Sequence, residues 1–274
     1  MTSCLIKEKQ DLTHLHWSKY RNSPGTAGSF LKAYSELGGK KVYYKLSNFD
    51  STKGVIGHEC VNELIVDRLL TILGVPHVHY QLIHADILID GELFDVYLCA
   101  SEDFKQKGES KIALDAYWKL ECEDGESPLD FCIRNGWADY IYQMLVVDYL
   151  ILNRDRHGAN IEVLRNKRKK TIHLAPMFDH GLSLLFGCTT DSAVATYDVM
   201  EDRQCNTFIG SRSTLNNLEY IPSDRIPKMN ALKESDRIII FEGLDGVISQ
   251  AHQDKIWDML WKRWCVYENF CNSR

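Results

Sequence analysis

Two short stretches decide how this chain folds: Asn153-Arg-Asp-Arg-His-Gly-Ala-Asn160, and then Pro176-Met-Phe-Asp-His-Gly-Leu-Ser183. The first stretch carries Asp155 and Asn160 five residues apart, and the second carries Asp179 nineteen residues after Asn160. All three side chains offer oxygen atoms to a proton or a hard cation. Their spacing therefore suggests that they act as one group.

The segments around these stretches explain how the group could assemble. Residues 161–164 and 171–174 flank a polar turn, which predicts a hairpin. Residues 137–152 are strongly apolar, which predicts a buried helix that leads directly into the first stretch. A buried helix, a tight loop and a hairpin would return the chain so that Asp179 lies beside Asp155 and Asn160.

Two carboxylates and one amide at this spacing are typical of phosphoryl transfer from a nucleotide. Asp155 would orient the attacking hydroxyl and take its proton, and Asn160 and Asp179 would hold Mg²⁺ ions that neutralise phosphate charge. The alternative is that Asp and Asn only cap local turns, as they commonly do in loops. The occurrence of all three around one predicted hairpin favours a kinase.

The order of elements predicts an α+β, two-lobed, protein-kinase-like fold. A small β-rich N-lobe would span residues 1–101, and a larger helical C-lobe would span residues 102–274. Apolar periodicity and turn residues predict strands at 30–34, 41–46, 78–83 and 93–100, and a helix at 58–73 that ends at Gly74. The remainder is predicted to be mostly helical.

Lys45 lies in the apolar stretch Tyr43-Tyr-Lys-Leu-Ser47, where an ammonium group needs an anionic partner. Nucleotide phosphates and a helix carboxylate would supply one; an exposed edge-strand lysine is the alternative. Glu63 lies on the polar face of the predicted 58–73 helix, together with Glu59 and Asp67. Periodicity does not choose among these three, and a solvated acidic stripe is the alternative for all of them.

The segment Ser23-Pro-Gly-Thr-Ala-Gly-Ser29 predicts a flexible turn. Backbone N–H groups around Gly25, Thr26 and Gly28 could cradle phosphate there, although an ordinary loop fits the same residues. Ser101 and Phe104 lie where the two lobes would meet, and we expect ATP to bind in the cleft near them. His77 and His79 alternate along a predicted strand, and without a third ligand at useful spacing they do not predict a metal site.

Composition narrows the class of protein. A chain of 274 residues with 45% hydrophobic and 26% charged residues is ordinary for a globular protein. The net charge of −6 does not favour direct contact with nucleic acid or an anionic membrane. Nine scattered cysteines without a Cys-x-x-Cys pair, and no apolar run at the N-terminus, favour a reducing cytoplasm.

The two opening stretches resemble the HipA-like kinases. Asn153-Arg-Asp-Arg-His157 followed by Asn160 is similar to that family's catalytic loop, and Leu174-Ala-Pro-Met-Phe-Asp-His-Gly-Leu-Ser183 is similar to its metal-binding segment. Asn62-Glu63 resembles the start of the family's helix, which favours Glu63 over Glu59. The resemblance runs from about residue 23 to beyond residue 183, and the N-terminal matches are the looser ones.

The resemblance implies phosphorylation of serine or threonine in a protein, with ATP and Mg²⁺. Several HipA-like proteins are toxins restrained by a DNA-binding antitoxin, so toxin activity and an antitoxin-like partner are further expectations. The chain is expected to lack the extra N-terminal subdomain of longer members and to resemble the compact, stand-alone relatives. Autophosphorylation in the glycine turn would fall on Ser23, Thr26 or Ser29.

Two rival functions share parts of this pattern. A small-molecule kinase of the aminoglycoside or choline type also carries an Asp, an Asn five residues later and a further Asp. A nucleotide-binding pseudokinase that acts as an interaction module would need only some of these groups. The combined presence of Lys45, Glu63, Asp155, Asn160 and Asp179 argues against the pseudokinase.

Overall fold

The structure is a computed structural model that describes residues 4–20 and 27–274. The described strands are β1 (Leu5–Asp11), β2 (Ser18–Tyr20), β3 (Ala27–Leu37), β4 (Lys40–Lys45), β5 (Phe49–Asp50), β6 (Gly54–Val55), β7 (Gln81–Ile89), β8 (Glu92–Glu102), β9 (Ser110–Ala113), β10 (Asp155–Arg156), β11 (Glu162–Asn166), β12 (Thr171–Leu174) and β13 (Asn206–Thr207). The described helices are α1 (Glu59–Leu73), α2 (Leu114–Glu121), α3 (Pro128–Arg134), α4 (Ala138–Leu150), α5 (Asp191–Thr196), α6 (Asp236–Ile240) and α7 (Gln250–Asn272).

The N-terminal part is built on one twisted sheet with strand order β1-β7-β8-β4-β3-β2. β7 and β8 form a hairpin at Asp90 and Gly91, where both residues have positive φ, as a tight two-residue turn requires. β4 lies between β3 and β8, so Lys45 is on an interior strand. The edge-strand alternative for Lys45 is therefore wrong.

Helix α1 packs against this sheet and is almost wholly buried, with 13 of its 15 residues out of solvent. It ends as predicted, because Gly74 adopts the left-handed conformation and its N–H caps the last turn. Glu59, Glu63 and Asp67 are all buried, with relative exposures of 4%, 0% and 6%. The solvated acidic stripe is thus wrong; each carboxylate faces a partner inside the protein.

Helix α4 confirms the predicted buried helix, and its last turn leads into the short strand β10. The predicted hairpin also forms, as β11 and β12, and β9 pairs along the other edge of β11. Between α5 and α6 the chain has only β13 and short 3₁₀ turns, so the C-terminal part is less regular than predicted. The long helix α7 packs against α4 and α5.

Three further differences concern the N-terminal part. β1 was not predicted, because six of its seven residues are not buried and its sequence is mainly polar. Gly28 lies in β3, so the predicted turn does not extend through it. β8 passes the predicted lobe boundary at residue 101 and continues to Glu102, and the boundary itself stays a prediction. Within residues 4–20 and 27–274, none of the helices is both long and apolar enough to cross a bilayer.

Candidate active site

Lys45, Glu63 and Asp179 meet in a buried cluster, although they are far apart in the sequence. The Lys45 ammonium lies 3.1 Å from Glu63 Oε1 and 2.6 Å from Asp179 Oδ1. β4 supplies the lysine and α1 supplies the glutamate, while Asp179 follows β12. The Glu63 side chain is 0% exposed and that of Lys45 is 12% exposed, so little solvent screens these charges.

Two carboxylates stabilise the Lys45 ammonium in this cluster, and they repel each other. Burial disfavours the ammonium of Lys45, but the carboxylates of Asp179 and Glu63 outweigh burial and raise the Lys45 pKa well above its usual value. Burial raises the pKa of Glu63, and the negative charge of Asp179 adds to the rise. Lys45 is therefore a permanent cation that two acidic groups share.

Asp179 is held in an uncommon backbone conformation. Its φ is +58°, in the left-handed region that Asp tolerates better than most residues. The Asp179 N–H donates to the Tyr80 hydroxyl at 3.2 Å, and the next N–H, from His180, donates to Glu63 Oε2 at 2.9 Å. Glu63 thus fixes both the lysine and the backbone that presents Asp179.

The residues after Asp179 are also attached to α1. The Asn62 amide donates to the carbonyl oxygens of Gly181 and Ser183, both at 3.0 Å. A Cβ at position 181 would lie 3.1 Å from the Glu59 Cβ, closer than ordinary packing, so glycine permits this approach. The Asn62-Glu63 pair therefore holds the whole Asp179 segment against the helix.

A buried ion pair organises the loop that carries Asp155. The Arg156 guanidinium contacts Asp148 of α4 at 2.8 Å, and the Asn153 amide donates to the same carboxylate at 2.9 Å. Arg156 also donates to the carbonyl oxygens of Asn160 and Phe178, at 3.3 and 2.8 Å. One guanidinium therefore joins α4, the loop and the residue that precedes Asp179.

Asp155 and Asn160 lie at opposite ends of this loop and are joined by a hydrogen bond. The Asn160 amide donates from Nδ2 to the Asp155 carbonyl at 2.9 Å, which leaves its Oδ1 buried and without a hydrogen-bond partner among the described residues. The Asp155 carboxylate is partly exposed and accepts a hydrogen bond from Asn206 at 3.0 Å. This arrangement leaves one amide oxygen and one carboxylate available for chemistry.

The remaining predicted site residues are placed as follows. Ser101 pairs with Tyr43 across β4 and β8, and Phe104 follows the end of β8. The Phe104 ring lies 5.6 Å from the ring of Phe178, the residue before Asp179. Gly28 is the second residue of β3. Gly25, Thr26 and the proposed phosphorylation target Ser23 lie outside the described residues.

Three supporting residues were not predicted from the sequence. Asp148 interrupts an apolar helix, and such a buried charge was the available signal that it needs a partner. Asn206 reaches Asp155 because β13 pairs in parallel with β10, and nothing in the sequence connects residues 51 positions apart. The hydroxyl of Tyr80 likewise meets Asp179 only through the fold.

Comparison of the coordinates with solved structures identifies the fold. The chain is similar to the Helicobacter pylori proinflammatory kinase CtkA, with a TM-score of 0.63, 16% identity and 93% of each chain covered. The chain is less similar to the Shewanella oneidensis toxin–antitoxin protein HipA, in its complex with HipB and operator DNA, with a TM-score of 0.40, 14% identity and coverage of 96% of this chain and 65% of HipA. Its similarity to the Golgi casein kinase has a TM-score of 0.44 and 13% identity, and covers 94% of this chain and 72% of that kinase. No protein-family model and no curated protein sequence matches the chain. The chain has the protein-kinase-like fold that its resemblance to HipA-like kinases predicts.

Proposed function

We propose that the protein is an ATP- and Mg²⁺-dependent kinase that transfers the γ-phosphoryl group to serine or threonine of a protein. The observation that carries this proposal is the contact of Lys45 with both Glu63 and Asp179 on a kinase-like fold. A strand lysine, a helix glutamate and a metal-binding aspartate are the groups that kinases use to position nucleotide phosphates.

Asn160 and Asp179 would hold Mg²⁺. Within residues 4–20 and 27–274, the buried Asn160 Oδ1 has no hydrogen-bond partner, which is costly unless a ligand such as a cation completes it. Amide and carboxylate oxygens are the ligand types that Mg²⁺ prefers, so the donor set fits. When bound, Mg²⁺ would neutralise negative charge on the phosphates.

The protein's own groups would divide the remaining work. Lys45 would bind the α- and β-phosphates, and Glu63 would keep its ammonium in place. Asp155 would accept the proton of the acceptor hydroxyl and orient it for attack, while Asn206 steadies one carboxylate oxygen. Arg156 acts through position alone, because its hydrogen bonds hold the loop and the carbonyl before Asp179.

The proposed nucleotide contacts extend beyond the charged cluster. Backbone N–H groups at Gly25, Thr26 and Gly28 would cradle the phosphates, and Ser101 and Phe104 would lie near the base. Toxin activity, an antitoxin-like partner and a cytoplasmic location stay predictions from the resemblance and the composition.

A labelling experiment tests the proposal and separates it from its rivals. The purified chain is incubated with γ-³²P-ATP, Mg²⁺ and a whole-cell lysate, and protein and metabolite fractions are counted separately. Label in protein, at serine or threonine, supports the proposal; label confined to metabolites identifies a small-molecule kinase. Tight nucleotide binding without Mg²⁺-dependent transfer into either fraction identifies a pseudokinase.

A further inference from the structure

Three side chains of types that can bind a metal ion lie together outside the candidate active site. Asp67 Oδ1 lies 3.2 Å from His77 Nε2 and 2.9 Å from His79 Nδ1, and the three ligand atoms all lie within 4.8 Å of one another. The two histidines precede β7, and Asp67 comes from α1. The third ligand that the sequence spacing did not reveal is thus supplied by the packing of α1.

The hydrogen bonds of His77 favour a cation between its Nε2 atom and the Asp67 carboxylate. His77 Nδ1 is 2.6 Å from the Val75 carbonyl oxygen, which can only accept, so Nδ1 carries the hydrogen. A neutral ring would then point the lone pair of Nε2 at the Asp67 carboxylate. A cation bound between Nε2 and the carboxylate would remove this conflict. A carbonyl acceptor on one ring nitrogen and a metal on the other is the usual arrangement of a metal-binding histidine.

We propose that Asp67, His77 and His79 bind one Zn²⁺ ion. Zn²⁺ with bonds of roughly 2.0–2.1 Å in tetrahedral geometry has ligand atoms about 3.3 Å apart. The separations of 2.9 and 3.2 Å are therefore close to those of a formed site. Two imidazoles favour zinc over Mg²⁺, which prefers oxygen ligands.

The surroundings of the three side chains leave room for a fourth ligand of the metal ion. The backbone N–H of Tyr80 donates to Asp67 Oδ1 at 3.2 Å and orients the carboxylate. The His77 side chain is only 3% exposed, whereas that of His79 is 76% exposed, so solvent reaches the cluster from one side. Water would complete the fourth position there.

The position of the site gives the ion a structural consequence. Asp67 lies one helical turn after Glu63, and the backbone at His77 pairs with Met177, two residues before Asp179. A bound ion would link α1 to the residues around His77, which run beside the segment that carries Asp179. The proposal does not depend on phosphoryl transfer, because the same cross-link would form in a chain with no catalytic activity.

The test uses the whole chain, stripped of metal with a chelator and titrated with Zn²⁺ in the absence of Mg²⁺ and nucleotide. Calorimetry should show one site, and Zn²⁺ should raise the melting temperature. His79→Ala removes an exposed ligand without opening the core, and it should weaken Zn²⁺ binding by at least roughly 10–100-fold. Co²⁺ in the same site should give the visible absorption bands of a four-coordinate ion.

Two control variants make the result specific. His84→Ala removes a histidine that contacts the Asp95 carboxylate at 2.5 Å. The Lys9 ammonium lies 2.7 Å from the same carboxylate, and its positive charge repels a metal ion from this histidine–carboxylate pair. The Zn²⁺ affinity of His84→Ala should equal that of the wild type. The Zn²⁺ affinity of the second control, Asp179→Ala, should also equal it. Absence of Zn²⁺ binding to the wild type, or equal affinity in His79→Ala, would overturn the site.

Discussion

Lys45 Nζ lies 2.6 Å from Asp179 Oδ1 and contacts Glu63 at the same time, so two carboxylates share one ammonium. The contact joins the residue proposed to bind phosphate to the residue proposed to bind Mg²⁺. Entry of nucleotide and metal would supply each group with a new partner of opposite charge. The stability of the nucleotide-free protein and its affinity for nucleotide are therefore both linked to this ion pair.

Removing the lysine should destabilise the fold as well as abolish function. Lys45→Met leaves the buried Glu63 carboxylate and the partly exposed Asp179 carboxylate without their cation. Breaking a buried pair in this way costs about 3–5 kcal/mol. Urea unfolding measures the loss, and Lys45→Met with Glu63→Gln should recover part of it. Lys40→Met is the matched control, because Lys40 pairs with Glu102 on the exposed surface, where a pair is worth about 0–1 kcal/mol. Equal losses in Lys45→Met and Lys40→Met would contradict the buried ion pair.

Glu63→Gln should impair phosphoryl transfer far more than Glu59→Gln. Both carboxylates are buried, but Glu59 Oε2 accepts from the Asn48 N–H at 3.0 Å and does not contact Lys45. A lost charged hydrogen bond of about 1.5–3 kcal/mol corresponds to a fall in kcat/KM of roughly 10–150-fold. Steady-state kinetics with ATP on both variants checks this, and equal losses would remove Glu63 from its proposed role.

Asp179→Ala should remove the effect of Mg²⁺ on nucleotide binding, because the variant loses a carboxylate ligand of the ion. Calorimetry with ATP, performed with and without Mg²⁺ on each protein, gives an internal control. The wild type should bind ATP more tightly when Mg²⁺ is present, whereas Asp179→Ala should bind equally weakly in both conditions. An undiminished Mg²⁺ effect in Asp179→Ala would show that another residue holds the metal.

The stability of the fold should decrease as the pH falls from about 6.5 towards 4. Burial, with the neighbouring His58, lowers the pKa of His252 to about 4. An unfolded histidine has a pKa of about 6.5, so between these values the unfolded state binds a proton that the folded state excludes. Urea unfolding from pH 7 to pH 4.5 should show a weaker pH dependence in His252→Gln than in the wild type. His173→Gln, on the exposed strand β12, is the control and should retain the wild-type dependence. An unchanged dependence in His252→Gln would contradict the inference from burial.

Local patterns predicted the elements that frame the site. The helix that ends at Gly74 and the hairpin before Asp179 each carry their own capping or turn signal. Lys45 was indicated by its position in an apolar strand, and Glu63 was indicated by the family resemblance. These signals are short-range, so they appear in the sequence without knowledge of the packing.

What could not be predicted depends on contacts between distant segments. Polarity placed Glu59 and Asp67 on the polar face of the helix and left a solvated stripe open as the alternative. A buried carboxylate is recognised only by its partners, here the Asn48 N–H and the His77 and His79 rings. Asn206 meets Asp155 only because two very short strands pair. Strand β1 was missed since a mainly polar strand lacks the apolar alternation that marks a half-buried one.

Asp155 is proposed to serve the chemical step rather than ATP binding. Asp155→Asn keeps the shape of the side chain but loses its charge and proton affinity, and removing a general base costs on the order of 10²–10⁴ in rate. Asp124→Asn, on an exposed turn, is the matched control and should leave activity unchanged.

The decisive measurement pairs ATP affinity by calorimetry with the single-turnover rate of phosphate transfer to protein, in wild type, Asp155→Asn and Asp124→Asn. We predict an ATP affinity within a few-fold of the wild type in both variants, and a rate at least about a hundredfold lower in Asp155→Asn only. A near-normal rate of protein phosphorylation in Asp155→Asn would contradict the proposed catalytic loop and, with it, the kinase assignment.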